Sequence, residues 1–166
     1  MKRDLLHRLI DARAKGLGVV LATRLDSGAQ RLIERGNAGN ALAAAAQTAL
    51  TRDQSGPVEV DGASWFLNVF NSPPKLYIVG AVHIAQPLSQ MAALAAFDVT
   101  VIDPRTAFAT NERFPNLHLI TAWPDEALAD LPLDARTAVV TLTHDPKLDD
   151  PALVAALKSD AFYIGA

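Results

Sequence analysis

The stretch "KLYIVGAVHIAQPL", residues 75–88, joins a short apolar run to a glycine and then to a helical pattern. The apolar run is nearly continuous, which is typical of a strand buried on both faces of a sheet. Gly80 permits a tight turn after such a strand, and Ala85 is small enough for a helix to pack closely against it. The stretch therefore predicts a strand at 75–80, a tight turn and a helix over about 84–96.

The same alternation of strand and helix continues to the end of the chain. Apolar runs predict further strands at 99–103, 117–121, 137–143 and 161–165, and helices are expected at 124–130 and 150–158. Buried strands separated by helices favour a parallel sheet covered on both faces, and right-handed crossovers favour a doubly wound arrangement. We predict an α/β fold with a Rossmann-like doubly wound parallel sheet over about residues 74–166.

The preceding residues have a different pattern. They predict a helix at 3–15, a strand at 17–25 with a short partner, an alanine-rich helix from Asn40, and a hairpin around Asp61–Gly62. The "NSPPK" stretch at 71–75 cannot continue a strand, because its two prolines remove amide donors. We therefore predict two domains, a small α+β domain at 1–72 and the Rossmann-like domain at 73–166.

Composition excludes several functional classes. The 166-residue chain has a net charge of −3 and no cysteine. No cluster of basic residues indicates nucleic acid or an anionic membrane as a partner. Without cysteine there are no disulfides and no thiolate ligands, which fits a reducing compartment. No stretch reaches the roughly 20 apolar residues that a membrane span requires, so we expect a cytoplasmic protein without a membrane or nucleic-acid partner, and we predict no metal site.

The predicted sheet places a ligand site at its carboxyl edge, where the strand order reverses. That point lies between the first and fourth strands of the second domain, next to the loops at 80–85 and 143–150. Gly80 matches the first glycine of a dinucleotide fingerprint, but Val82 stands where the second glycine lets backbone approach a pyrophosphate. Asp103 follows Gly80 at about the spacing expected of a carboxylate that binds a ribose, or it pairs with Arg105.

The loop after the fourth strand carries the other polar candidates. Histidine as a residue type changes protonation near neutral pH, so His144 is a candidate for proton transfer, with Asp145 able to orient it and Lys147 offering a charge to phosphate. His144 and Asp145 are thus the best catalytic candidates. Asp150 precedes Pro151 and is predicted to cap the last helix. The predicted cofactor-binding residues are Gly80, Ala81, Val82, His83, Asp103, Arg105, Thr143, His144, Asp145 and Lys147.

From residue 75 onward the chain resembles the XdhC/CoxI family, the accessory proteins of molybdenum hydroxylases such as xanthine dehydrogenase. The resemblance is carried by "VGAVHIAQPL", by "VTVIDPR" with "RFP" downstream, and by "TAVVTLTHDPKLDDPALVAALKSDAFYIGA". Residues 17–70 resemble a shortened form of the family's N-terminal domain. The family's first loop usually reads Gly-Ala-Gly-His, so Val82 departs from it and His83 is kept. The family's cysteine-containing N-terminal turn aligns with "GNAGNA" at 36–41, which has no thiol to handle molybdenum or sulfur.

The resemblance implies a cofactor-binding accessory protein rather than an enzyme. It implies binding of molybdenum cofactor or a related phosphorylated nucleotide, a molybdenum hydroxylase and a cysteine desulfurase as partners, and a homodimer. Two alternatives remain open at this point. One is an NAD(P)-binding oxidoreductase, in which Asp103 selects an unphosphorylated ribose. The other is a Rossmann interaction module that has lost its ligand.

Overall fold

The structure is a computed structural model that describes residues 3–37 and 39–166. It contains two compact units, the first ending at Ser72 and the second beginning at Pro73. Each unit has its own sheet and its own hydrophobic core.

The first unit is an antiparallel sheet packed against a helix. Its elements are α1 (Arg3–Ala14), β1 (Val19–Arg24), β2 (Gln30–Glu34), α2 (Ala41–Arg52), β3 (Gly56–Val60) and β4 (Ala63–Phe70). The strand order is β2-β1-β4-β3. The side chain of Asn40 accepts a hydrogen bond from the Ala43 amide and caps α2. Leu42, Ala46 and Leu50 of this helix pack into the core.

The second unit is a parallel sheet with helices on both faces. Its elements are β5 (Lys75–Val79), α3 (Ala85–Leu94), β6 (Asp98–Ile102), β7 (His118–Ile120), α4 (Pro124–Ala129), β8 (Thr137–Thr141), α5 (Pro146–Leu157) and β9 (Tyr163–Gly165). The strand order is β7-β6-β5-β8-β9, and every neighbouring pair is parallel. The predicted α/β fold with a doubly wound parallel sheet is confirmed.

Strand β5 lies at the centre of this sheet and is buried on both faces. Leu76 and Ile78 belong to the core under α3, whereas Tyr77 and Val79 belong to the core under α4 and α5. Because both faces of β5 are covered, its sequence is a continuous apolar run rather than an alternating one. This burial explains why residues 76–79 predicted the fold.

The beginning of the last helix differs from the prediction. Helix α5 begins at Pro146, and its N-cap is Asp145, whose side chain accepts a hydrogen bond from the Lys147 amide at 3.0 Å. The prediction that Asp150 caps this helix is wrong. The dipeptide Asp-Pro occurs twice in this segment, at 145–146 and at 150–151, and the first of these already supplies a cap and a proline at the first helical position. Pro151 therefore lies inside the helix.

This correction predicts different effects for two aspartates. Asp145→Ala removes the cap, so the free energy of unfolding should fall by about 1 kcal/mol. Asp150→Ala is the matched control, because it removes an exposed carboxylate one turn further along the helix, and it should change stability by less than about 0.5 kcal/mol. Urea denaturation of both variants measures the difference. Equal losses would contradict the assignment of the cap.

Candidate functional site

The strand order of the second unit reverses between β5 and β8, as predicted. The carboxyl ends of the two strands are in register, with Val79 opposite Thr141. The chain then leaves β5 toward α3 on one face of the sheet and leaves β8 toward α5 on the other. The diverging loops form the edge at which ligands bind in open α/β sheets.

Gly80 brings the two loops into direct contact. Its φ is 110°, a conformation that side chains disfavour. A Cβ at this position would lie 2.6 Å from Cγ2 of Thr143 and 3.3 Å from the Thr143 nitrogen. Glycine is therefore required at position 80 by backbone conformation and by the approach of the loop after β8.

Asp103 holds the loop after β5 to the loop after β6. It is completely buried. One carboxylate oxygen accepts hydrogen bonds from the backbone amide and Nε of Arg105, both at 2.9 Å. The other accepts from the Ala81 amide and from Nη2 of Arg105, both at 2.8 Å. The carboxylate thus joins the loop after β5 to the loop after β6.

These four hydrogen bonds determine the direction in which the pKa of Asp103 is shifted. Burial alone would raise the pKa of its carboxyl, but the hydrogen bonds from Arg105 and Ala81 outweigh burial and hold the pKa below its ordinary value. A carboxylate has about four lone-pair positions, and four donors already occupy them. The predicted ribose contact of Asp103 stays a prediction, and it requires Arg105 to release a bond.

Arg113 is a part of this edge that sequence reasoning missed. Its Nη1 donates to the Ala81 carbonyl at 2.9 Å and to the Phe108 carbonyl at 2.7 Å. The Arg105 guanidinium lies 4.6 Å from the centre of the Phe108 ring, and that of Arg113 lies 5.7 Å from it. Ala81 is therefore held at its amide by Asp103 and at its carbonyl by Arg113. No sequence pattern reveals a contact between residues 32 positions apart.

The start of α3 lies at the same edge, where the Ala85 amide donates to the Val82 carbonyl at 3.1 Å and Pro87 has no amide proton, which leaves the Gln86 amide as the donor of the first turn. Ile84 is the N-cap residue, and its side chain makes no capping hydrogen bond. Helix α3 has no acidic residue in its first turn. The positive end of the helix is thus not neutralised by its own side chains. Val82 is half-buried and His83 is exposed just before this helix.

The loop after β8 is held by Asp149 rather than by its histidine. One Asp149 oxygen accepts from the Thr143 hydroxyl at 2.6 Å, and the other accepts from the His144 amide at 2.8 Å. His144 has a φ of 57° and an exposed side chain. Asp145 is the helix cap described above, and Lys147 lies exposed in the first turn of α5.

The loops after β6 and β8 also interact electrostatically. The hydrogen bond to Asp103 is the main cause that raises the pKa of Arg105 above its ordinary value, and the charges of Asp145 and Asp149 raise it further. Of the predicted site residues, the structure brings Gly80, Ala81, Asp103, Arg105 and Thr143 together by direct contacts. His144 and Asp145 follow Thr143 on the same loop.

A doubly wound parallel sheet with a glycine turn at its reversal point defines a Rossmann-type domain. Comparison with known families gives a more specific assignment, because the family model described as the XdhC Rossmann domain matches residues 76–166. The chain belongs to this family, which confirms the resemblance found in the sequence.

Individual relatives agree with the assignment. The chain is 32% identical over 101 residues to a Bacillus subtilis protein described as a probable xanthine dehydrogenase subunit, covering 60% of this chain and 31% of that protein. A crystal structure described as a xanthine dehydrogenase from Bacillus halodurans superposes with a TM-score of 0.70 at 19% identity, covering 98% of this chain and 51% of that one. At 19% identity, the similarity to the Bacillus halodurans protein concerns the fold alone. The match spans about a third of the length of the first protein and about half of the second.

The residues at this edge fit the phosphate part of a cofactor better than a metal. The Gln86 amide at the positive end of α3 and the guanidinium of Arg105, whose side chain is 38% exposed, are donors suited to an anion. The chain has no thiol, and within residues 3–37 and 39–166 no three histidine or acidic side chains converge as metal ligands would. In the same part of the chain, no helix is long and apolar enough to cross a membrane.

The role of Asp103 predicts a stability loss that depends on pH. Asp103→Asn weakens the bonds to Arg105, and we expect the free energy of unfolding at pH 7 to fall by about 2–3 kcal/mol. Because the folded-state pKa of Asp103 is lowered, the ionised carboxylate stabilises the fold fully above its unfolded pKa of about 4. This contribution disappears as the pH falls through the folded pKa. Denaturation from pH 7 to pH 3 should therefore show the gap between wild type and variant closing below about pH 4.

The chain offers a matched control for this variant. Asp26 pairs with Arg24 at 2.9 Å, again two residues apart, but the Asp26 side chain is exposed. Asp26→Asn should leave stability unchanged at both pH values. If Asp26→Asn lowered the free energy of unfolding as much as Asp103→Asn, ordinary surface electrostatics, rather than the hydrogen bonds of buried Asp103, would explain the result.

Proposed function

We propose that this protein is an accessory protein of a molybdenum hydroxylase of the xanthine dehydrogenase type. In this role it binds molybdenum cofactor, or a related phosphorylated nucleotide, at the edge between β5 and β8. The observation that carries the proposal is the uncapped start of α3 beside the glycine turn at the reversal of strand order. Membership of the XdhC Rossmann family supports it.

The phosphate group is the part of the ligand that these residues recognise. Helix α3 is ten residues long and free of charged side chains, so its positive end and the Gln86 amide are left to attract an anion at the carboxyl edge. When bound, molybdenum cofactor brings the metal chemistry of the hydroxylase. The residues of this chain supply hydrogen-bond donors that hold its phosphate, and they contain no thiolate that binds molybdenum or sulfur.

The polar groups of the edge favour binding over catalysis. The carboxylates of Asp103, Asp145 and Asp149 all accept hydrogen bonds from neighbouring backbone amides. A general base has to reach a proton of the substrate, and these carboxylates are instead engaged in holding the loops. The His144 side chain is exposed on the same loop.

The partner is proposed from the names of the relatives. One of them is named as part of a probable xanthine dehydrogenase, so we propose that this chain associates with an enzyme of that kind. A cysteine desulfurase, a homodimer and a cytoplasmic location stay predictions from the sequence. An NAD(P)-dependent oxidoreductase remains the alternative, and it requires the ribose to displace Arg105 from Asp103.

Titration of the purified protein with molybdenum cofactor, NAD and ATP tests the proposal. We expect molybdenum cofactor to bind with the highest affinity, followed by delivery to a cofactor-free hydroxylase. NAD binding together with substrate turnover would establish the oxidoreductase instead. Capture of a purified hydroxylase without binding of any of the three ligands would support the interaction module.

Val82 supplies a more specific prediction. Its branched side chain stands where the second glycine of the fingerprint lets the backbone approach a phosphate, so Val82→Gly should raise the affinity for the phosphorylated ligand several-fold. Val154→Gly is the control, because Val154 is an exposed valine of α5, and it should leave the affinity unchanged. Unchanged or lower affinity in Val82→Gly would place the phosphate elsewhere.

A further inference from the structure

The first unit contains a cavity between α2 and the edge strand β3. Its volume is about 340 Å³, which lies within the range of small-molecule sites. One face of α2, the turn after it and the first residues of β3 form the wall, and Leu67 of β4 belongs to the floor. None of these residues belongs to the carboxyl edge of the second unit.

Small residues on both sides account for the cavity. Ala45 and Ala49 lie one turn apart on the same face of α2. Opposite them, Gly56 pairs with Leu67 across β3 and β4, so β3 adds no side chain beside Leu67 at this point. A Cβ on Gly56 would meet no atom within 4 Å. The space beside Gly56 is therefore open rather than filled by the core.

The floor of the cavity is apolar. Leu67 is buried in the core of the first unit, and Ala45, Ala49 and Val58 pack against that core but remain partly exposed. Apolar surface that is left open to water gains from contact with an apolar group. The floor therefore favours a ligand with an apolar body.

The charge on the wall is positive. Arg52, in the last turn of α2, is the one charged residue among the described residues that line the cavity. A helical side chain leans over the turn before it, so the Arg52 side chain extends along this wall. Arg52 takes part in none of the ion pairs found within residues 3–37 and 39–166. Its charge is thus available to a ligand.

The turn after α2 places an amide side chain beside this arginine. The Gln54 backbone amide donates to the Ala49 carbonyl at 3.1 Å, which fixes the end of the helix. The exposed Gln54 side chain carries two further N–H donors. The Asp53 carboxylate does not line the cavity, and it accepts from Nδ2 of Asn71 at 2.7 Å. The wall thus offers donors and no carboxylate.

We propose that this cavity binds a small ionised carboxylic acid whose apolar body has the size of an aromatic ring. The body lies on Val58, Leu67 and the alanines of α2, and the carboxylate pairs with two parallel N–H groups of Arg52. An amine is disfavoured, because it would meet the charge of Arg52. A bare phosphate would leave the apolar floor uncovered. The site uses none of the residues of the proposed phosphate site, so it does not depend on the proposed function.

Three probes separate the contribution of the charge from that of the apolar body: phenylacetate, its neutral analogue phenylacetamide, and acetate. NMR chemical shifts of the Gln54 and Gly56 backbone amides in the labelled protein measure binding, because both residues line the cavity. We expect phenylacetate to bind at least about tenfold more tightly than phenylacetamide, which lacks the charge, and than acetate, which lacks the body.

Two arginine variants test the charge. Arg52 and Arg13 each lie in the last turn of a 12-residue helix, but Arg13 does not line the cavity. Arg52→Met keeps most of the apolar stem and removes the guanidinium. It should weaken phenylacetate binding about tenfold and leave phenylacetamide binding unchanged. Arg13→Met is the matched control and should leave both affinities unchanged.

Gly56→Val tests the position of the apolar body. The valine side chain would enter the open space beside Leu67, and valine is favoured in a strand. The melting temperature should therefore stay unchanged or rise, while phenylacetate binds at least about tenfold more weakly.

Equal affinity for phenylacetate and phenylacetamide, or no shift of either amide signal with phenylacetate at about 10 mM, would overturn the inference. Unchanged phenylacetate affinity in Arg52→Met or in Gly56→Val would also overturn it. Molybdenum cofactor plays no part in these titrations, so the accessory role stands or fails by its own test.

Discussion

The buried carboxylate of Asp103 is the interaction on which the carboxyl edge of the second unit depends. It accepts four hydrogen bonds, from the Ala81 amide on one loop and from Arg105 on the next. Gly80 then places the first of these loops against Thr143 at the end of β8. One ionised group inside the protein thus joins two loops, and Gly80 connects them to the third. A buried charge is tolerated only because its donors are close and correctly oriented.

This use of Asp103 changes how the glycine turn is interpreted. In a dinucleotide site, an acidic residue at this spacing binds a ribose and the glycines give access to a pyrophosphate. Here the carboxylate binds its own loops, Gly80 packs against Thr143, and Val82 replaces the second glycine. The donors that remain at this edge are the Gln86 amide at the start of α3 and the exposed part of Arg105. The proposed phosphate site depends on these donors and not on the carboxylate.

The fold could be predicted from the sequence because buried strands are visible there as runs of apolar residues. Strand β5 is apolar throughout because both of its faces are covered, and the alternation with helices indicated the parallel order. The candidate site could be predicted from the sequence only in part. Loop positions are readable at strand ends, but the engagement of Asp103 by Arg105 and Ala81 depends on how the loops meet. The contact of Arg113 with Ala81 depends equally on tertiary structure. The start of α5 was predicted wrongly because two Asp-Pro dipeptides lie close together at 145–151.

Amide hydrogen exchange at Ala81, measured by NMR on the uniformly labelled protein, tests the hydrogen bond between Asp103 and Ala81 most directly. If Asp103 accepts the Ala81 amide as described, this amide should exchange as slowly as those of the central strand β5, although Ala81 lies in a loop. Exchange as fast as that of the exposed turn residue Ser27 would contradict the account, because the carboxyl edge would then lack the bond that holds it together.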